Sequence, residues 1–112
     1  MSGITTHVLD TSTGRPAAGV PVTLERSDEQ GAWTPLGSGR TDADGRLRTL
    51  LSTPPLAGTY RLTFDTRTYF EAARLPVFYP RVAVTFCAAA PEDHYHVPLL
   101  LSPFGYSTYR GS

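Results

Sequence analysis

The chain has 112 residues, with 10 Lys plus Arg balanced by 10 Asp plus Glu. A domain of this length buries roughly 65% of the surface that its unfolded chain exposes, so we expect residues 1–112 to form one domain that folds without a disulfide or a metal. Because there is no basic excess, nucleic acid is not an expected partner. No segment approaches about 18 apolar residues and the first residues lack a secretion signal, so we expect no membrane partner and a cytoplasmic location.

The single cysteine, Cys87, excludes an intramolecular disulfide and favours a reducing compartment. It lies in a predicted strand without a cationic sequence neighbour that would lower its pKa. We therefore expect a buried structural thiol and not a nucleophile.

Short alternating segments separated by Gly and Pro predict an all-β sandwich or barrel with few helices. In chain order, the predicted strands cover residues 4–10, 20–26, 32–37, 46–51, 59–65 and 81–88, and two more follow in the tail after residue 94. One short helix is predicted over about residues 68–74. Thr68 and Glu71 fit the N-cap and N3 positions of a capping box, and Pro76 prevents the helix from continuing.

A tight turn is predicted over residues 41–46 (TDADGR), with aspartate side chains bonding local backbone and Gly45 at positive φ. The segment lacks the third acidic position and the distant Glu of a calcium loop. Arg46 leaves the turn in extended backbone. A lone arginine in such a place is most often a solvated charge; the alternative is a clamp for an anion or a carbonyl group.

The segment over residues 97–101 (VPLLL) is apolar on both faces of a strand, so one face can meet the core while the other needs a cover. The aliphatic set at positions 97, 99 and 101 suits the core. His96, Pro98 and Leu100 therefore face outward, and in a chain this small another copy is the expected cover.

Two predicted strands each carry a histidine on a face that is otherwise apolar. His7 shares its face with Leu9, and His96 shares its face with Leu100. His7 alone is most often a solvated polar residue, but two imidazoles in one dry groove indicate a role. His94 and His96 face the same way, as paired metal ligands do, yet neither spacing nor composition demands a metal. We predict no metal and no cofactor.

The tail over residues 94–112, which ends in YRGS, resembles the C-terminal signature of the 5-hydroxyisourate hydrolases, the transthyretin-related enzymes of urate degradation. Residues 6–10 (THVLD) with 14–17 (GRPA) resemble the opening motif of that family. Residues 41–46 resemble its middle motif. The resemblance thus covers nearly the full length, although the first and middle motifs also recur in other prealbumin-like sandwiches.

The resemblance implies a transthyretin/prealbumin-like, eight-stranded β-sandwich that assembles as a homotetramer, a dimer of dimers with active sites at the subunit interface. It also implies the reaction, which is hydrolytic opening of 5-hydroxyisourate to 2-oxo-4-hydroxy-4-carboxy-5-ureidoimidazoline without a metal or organic cofactor.

Such a hydrolysis requires an activated water, a polarised carbonyl and a protonated leaving nitrogen. On that basis the expected catalytic groups are His7 and His96, which orient and deprotonate the water without either being assigned as the base, and Arg46, which stabilises the oxyanion. Ser112 and its carboxylate would bond water or histidine. The expected substrate-binding residues are His7, Arg46, Leu9, Pro98, Leu100, Ser107 and Tyr109. Of these, Tyr109 is expected to form the base of the pocket.

Two noncatalytic interpretations compete with the hydrolase. A transthyretin-like carrier would bind an apolar aromatic ligand in a channel at the same subunit interface. Such a channel favours small residues and needs no general base, so His7 and Tyr109 disfavour the carrier. A monomeric prealbumin-like adhesion or regulatory module would have no use for the histidine pair at positions 94 and 96.

Overall fold

The computed structural model describes residues 3–51, 53–89 and 93–112. Within these ranges the chain forms eight strands of four or more residues, one two-residue strand and one helix. In chain order they are β1 Gly3–Asp10, β2 Arg15–Pro16, β3 Pro21–Ser27, β4 Trp33–Arg40, β5 Arg46–Leu51, β6 Gly58–Phe64, α1 Thr66–Ala72, β7 Val82–Ala88, β8 His94–Ser102 and β9 Gly105–Thr108.

The strands form two sheets packed face to face. One sheet has the order β2-β1-β8-β9, with β5 also paired to β1, and the other has the order β4-β3-β6-β7. The central pair of the first sheet, β1 and β8, is parallel, whereas the other pairs are antiparallel. The prediction of an all-β sandwich with one short helix is confirmed.

The core lies between the inner faces of the two sheets. From β8 it receives Val97, Leu99 and Leu101, of which the last two are fully buried. His96 and Leu100, on the alternate positions, are only half-buried. The alternation of β8 thus predicted the core positions correctly. Pro98, which was expected to face outward with His96 and Leu100, is nevertheless buried, because Gly111 of the tail lies against it.

The predicted start of the helix is wrong. The N-cap is Asp65, whose carboxylate accepts a hydrogen bond from the Thr68 backbone N–H at 3.1 Å and another from the Thr68 hydroxyl at 2.7 Å. Aspartate is among the strongest N-cap residues, so Thr68 becomes the third residue of the helix instead of its cap. The helix ends at Ala72, because Arg74 adopts a left-handed conformation (φ 57°) and Leu75 N–H donates to the Phe70 carbonyl at 2.9 Å.

Two further expectations differ from the structure. β4 reaches Arg40, three residues past its predicted end. Cys87 is exposed on β7, contrary to the expected buried thiol. Alternation explains its position, since the inward residues of β7 are Val82, Val84 and Phe86. No helix in the described ranges is long and apolar enough to cross a lipid bilayer.

A buried carboxylate joins β1 to α1. Asp10 is 1% exposed, and it accepts hydrogen bonds from the Ser12 hydroxyl at 2.6 Å and from the Tyr69 hydroxyl at 2.6 Å. Burial alone would raise the pKa of Asp10, but these bonds and those from the Ser12 and Thr13 backbone outweigh it and leave the pKa below 3.8. The same arrangement raises the pKa of Tyr69 to about 12, mainly through burial, so its hydroxyl remains a donor.

We expect Tyr69→Phe to lower the free energy of unfolding at pH 7 by about 1–3 kcal/mol, because it removes a hydrogen bond to a buried carboxylate. Between the lowered pKa of Asp10 and its unfolded value of about 3.9, the unfolded state binds more protons, so stability falls as pH falls through that window. Raising the Asp10 pKa therefore moves the acid-unfolding midpoint to higher pH. Circular dichroism during acid titration measures this midpoint, and Tyr106→Phe, at a tyrosine 44% exposed, is the control. Equal midpoints in the two variants would contradict the prediction.

Candidate active site

Arg46 is positioned by the turn that precedes β5. The Asp42 carboxylate accepts hydrogen bonds from the backbone N–H groups of Asp44 at 2.9 Å and Arg46 at 3.0 Å. The bond from Arg46 is the main reason why the pKa of Asp42 lies below its ordinary value. Gly45 has φ +74°, and a Cβ there would lie 2.5 Å from the Val8 carbonyl oxygen, so glycine alone lets this turn pack against β1.

Strand register then brings the predicted side chains together. His7 pairs with Arg46 across the antiparallel β1–β5 ladder and with Pro98 across the parallel β1–β8 ladder. Directly paired residues project from the same face of a sheet, about 5 Å apart at Cβ. Leu9 pairs with Leu100 in the next outward row of that face, and on the other side of His7 the row is Thr5 with His96.

His96 makes hydrogen bonds through both its side chain and its backbone. Its Nδ1 lies 2.8 Å from the hydroxyl oxygen of Thr5, and that same hydroxyl lies 3.0 Å from His94 Nε2. The two imidazoles are nearly parallel, with an interplanar angle of 15° and ring centroids 6.5 Å apart. Thr5 therefore links both histidines of β8 to β1.

The tail after β9 returns to the same strand. Gly111 N–H donates to the His96 carbonyl at 2.7 Å, and the two residues form an antiparallel bridge. A Cβ on Gly111 would lie 2.7 Å from His96 Cδ2 and 3.3 Å from Pro98 Cγ. The absence of a side chain at this position lets the tail lie directly on the His96 ring.

Burial and positive charge both act on His96. Burial is the largest cause that lowers its pKa below 6.5, and the Arg46 charge is next, followed by His7, His94 and Arg48. The neutral form of His96 therefore predominates at pH 7, and in that form one ring nitrogen donates and the other accepts.

The structure places Ser107 opposite Leu100 in the β8–β9 ladder, so it joins the outward face. Tyr109 lies past the end of β9 and lines a groove of about 320 Å³ with Tyr95 and Val97, on the other side of β8. Ser112 follows Gly111 and is exposed. One subunit thus gathers seven of the nine predicted site residues on one face, namely His7, Leu9, Arg46, His96, Pro98, Leu100 and Ser107.

Sequence reasoning missed three residues that act on His96. Thr5 shares the alternation of His7 and so could have been placed on the outward face, but its contact with two histidines depends on strand register. Arg48 carries an obvious charge on the same strand as Arg46. The only sequence signal at Gly111 is that glycine tolerates close approach of other atoms to its backbone.

The chemistry available here is that of imidazole and guanidinium. A neutral imidazole near a fixed cation can move protons, and the cation can stabilise an oxyanion that forms beside it. Among the described residues no group of three or more His, Cys, Asp or Glu side chains is arranged to hold a metal ion.

Comparison with known proteins agrees with this fold. A family model described as HIUase/Transthyretin family matches residues 4–111. The chain is 50% identical to the 5-hydroxyisourate hydrolase of Caulobacter vibrioides over 117 residues, covering 100% of both chains. The solved structure of Klebsiella pneumoniae 5-hydroxyisourate hydrolase is similar, with a TM-score of 0.86, 43% identity and 100% of both chains covered. Sea bream transthyretin in complex with thyroxine is similar with a TM-score of 0.90 and 35% identity, covering 96% of this chain and 93% of that one. The chain belongs to the HIUase/Transthyretin family.

Proposed function

We propose that this protein is a hydrolase that opens the ring of 5-hydroxyisourate to 2-oxo-4-hydroxy-4-carboxy-5-ureidoimidazoline in urate degradation. The observation that carries the proposal is the direct pairing of His7 with Arg46 on the face that also holds His96. Family membership, with relatives named 5-hydroxyisourate hydrolase, supports the same reaction.

The mechanism uses the two imidazoles for proton transfer and the guanidinium for charge. A water molecule held by His7 and His96 loses a proton as it attacks the carbonyl carbon of the scissile cyclic amide, and the carbonyl oxygen becomes an oxyanion. Arg46 stabilises that oxyanion with its fixed, forked donors. Collapse of the intermediate breaks the C–N bond, and a proton passes to the leaving ring nitrogen, so the products are a carboxylate and an N–H group.

The remaining predicted residues form the walls of the site in this proposal. Ser112 bonds to the attacking water or to a histidine. The substrate lies against side chains from β1, β8, β9 and the tail, namely Leu9, Pro98, Leu100, Ser107 and Tyr109.

We propose a homotetramer as the working form. Both β7 and β9 are edge strands of their sheets in the described residues, and an unpaired edge is a ready site for pairing with another copy. The outward face with Leu9 and Leu100 needs a cover that one subunit does not supply. Tyr109, which is 56% exposed, contributes to the site on assembly. Sedimentation equilibrium should give four times the 12.2 kDa mass of one chain, and a monomeric mass would refute the assembly.

We place the reaction in the cytoplasm because Cys87 is exposed and has no second cysteine to pair with. A free surface thiol persists most readily in a reducing compartment.

Substrate decay tests the function directly. Freshly generated 5-hydroxyisourate should lose its absorbance faster in the presence of the protein than its spontaneous decay allows. The control is the His7→Asn, His96→Asn double variant at the same concentration. Decay at the spontaneous rate with a folded wild-type protein would refute the proposal.

A noncatalytic carrier is the second candidate, favoured by the apolar residues Leu9 and Leu100 on the outward face. A related structure, sea bream transthyretin, was solved in complex with thyroxine. The positive charge of Arg46 beside two histidines is a costly lining for an apolar ligand, which argues for the hydrolase. Saturable thyroxine binding without acceleration of 5-hydroxyisourate decay would favour the carrier.

We expect Gly111→Ala to lower kcat by about 10- to 100-fold while the fold is retained. Gly111 does not have positive φ, so alanine is compatible with its backbone, but the added Cβ would meet His96 Cδ2 at 2.7 Å and displace the ring. A displacement of this size near reacting atoms costs about 10²-fold at the upper end. Gly105→Ala is the matched control, because a Cβ there meets only the Ser102 hydroxyl, at 3.6 Å. Equal kcat in the two variants would contradict the prediction.

A further inference from the structure

No function was predicted for Thr5 from the sequence. It is 9% exposed, and its single hydroxyl lies within hydrogen-bond distance of both His94 Nε2 and His96 Nδ1. A hydroxyl has one proton, so it can donate to only one of these nitrogens and must accept from the other. The protonation of the two imidazoles is therefore linked through Thr5.

The two possible directions of this hydrogen-bond chain differ at His94. If Thr5 donates to His96, then His94 donates from Nε2 and its Nδ1 is a bare lone pair. If Thr5 donates to His94, the proton of that imidazole lies on Nδ1. His94 Nδ1 is buried and has no hydrogen-bond partner among the described residues. A buried N–H group without an acceptor is rarer, and costs more, than a lone pair without a donor. The first direction is therefore favoured.

We propose that Thr5 is a positioning residue that donates to His96 Nδ1, holds the neutral His96 as its Nε2–H tautomer and so makes His96 a hydrogen-bond donor of the site. The proton-accepting role then falls to His7, which takes the proton of the attacking water and delivers it to the leaving nitrogen. The catalytic meaning of this inference rests on the proposed function, whereas the tautomer itself does not.

The surrounding charges agree with a neutral His96. The charged or titratable groups that lower its pKa are His7 from β1, Arg46 and Arg48 from β5, and His94 from β8. All of them disfavour a positive charge on the His96 ring. The carboxylate nearest in sequence, Asp93, lies 3.6 Å from the Arg110 guanidinium. A neutral His96 has a single ring proton, and Thr5 determines which nitrogen carries it.

Nitrogen-15 NMR of the imidazoles tests the tautomer without any substrate. The chain has three histidines, so the signals can be assigned with the His7→Asn and His94→Asn variants. The wild-type protein should show His96 protonated at Nε2. Thr5→Val should show both tautomers, and Thr5→Ser, which keeps the hydroxyl, should match the wild type. A wild-type His96 protonated at Nδ1, or a Thr5→Val spectrum equal to that of the wild type, would overturn the inference.

Kinetics test the consequence for catalysis. Thr5→Val should lower kcat by about 10- to 100-fold, the usual loss when a bond that orients an imidazole is removed, with little change in KM. Thr5→Ser should restore most of the loss. The matched control is Thr6→Val on the same strand, because the Thr6 hydroxyl donates to the Val97 carbonyl at 2.6 Å on the core side and touches neither histidine.

The two readouts separate failure of the inference from failure of the function. Equal kcat in Thr5→Val and Thr6→Val would overturn the catalytic part of the inference. If the wild-type protein does not accelerate 5-hydroxyisourate decay, the proposed function fails. The tautomer of His96 is then tested by the nitrogen-15 NMR spectra alone.

Discussion

We expect His7→Asn and His96→Asn each to lower kcat by about 10²- to 10⁴-fold, the range for loss of a positioned acid or base. Asparagine keeps a polar side chain but cannot exchange a proton near neutral pH. Since both histidines serve one proton-transfer sequence, the double variant should lose much less than the product of the two single losses. Initial rates of 5-hydroxyisourate decay, corrected for the spontaneous reaction, measure all three.

Folding must be separated from chemistry in these variants. His7 and His96 are half-buried on the outward face and lie outside the sandwich core, so the thermal midpoint should change little. Wild-type turnover in both single variants would refute the assignment of the two imidazoles. A loss confined to KM would instead make them binding groups.

The faces of the central strands could be predicted from sequence because each strand alternates cleanly. On β8 the aliphatic positions 97 and 99 are in the core, and His96 is on the other face, as expected. A half-buried strand fixes its own faces through the hydrophobic pattern, which is a local property of the sequence. The shared outward face of His7 and His96 followed from this pattern.

What the pattern cannot supply is register. Thr5 and His96 are 91 residues apart, and only the parallel pairing of β1 with β8 places them side by side. The bridge between His96 and Gly111 is likewise a long-range feature that strand propensity does not contain. The predicted helix start was wrong for a different reason. Asp65 and Thr68 are both favourable N-cap residues, and the three-dimensional context decides which of them caps the helix.

Arg46→Lys should lower kcat by about 10²- to 10³-fold, as loss of an oxyanion donor typically does, although the charge is kept. The reason is geometric. Arginine presents two parallel donors in a rigid plane, whereas the lysine ammonium is a single point of charge on a flexible stem. The backbone N–H of Arg46 is held by the Asp42 carboxylate at 3.0 Å, so movement of the turn cannot compensate for the forked donors that lysine lacks.

A second substitution at the same position separates charge from geometry. The Arg46 charge helps to lower the pKa of His96, so Arg46→Gln should let that pKa rise toward 6.5, while Arg46→Lys should leave it lowered. NMR titration of His96 reads this pKa without substrate. Arg15→Lys, at an exposed residue of β2 in the same sheet, is the control for both measurements. Wild-type kcat in Arg46→Lys would show that a point charge is sufficient, and the forked recognition of the oxyanion would then be wrong.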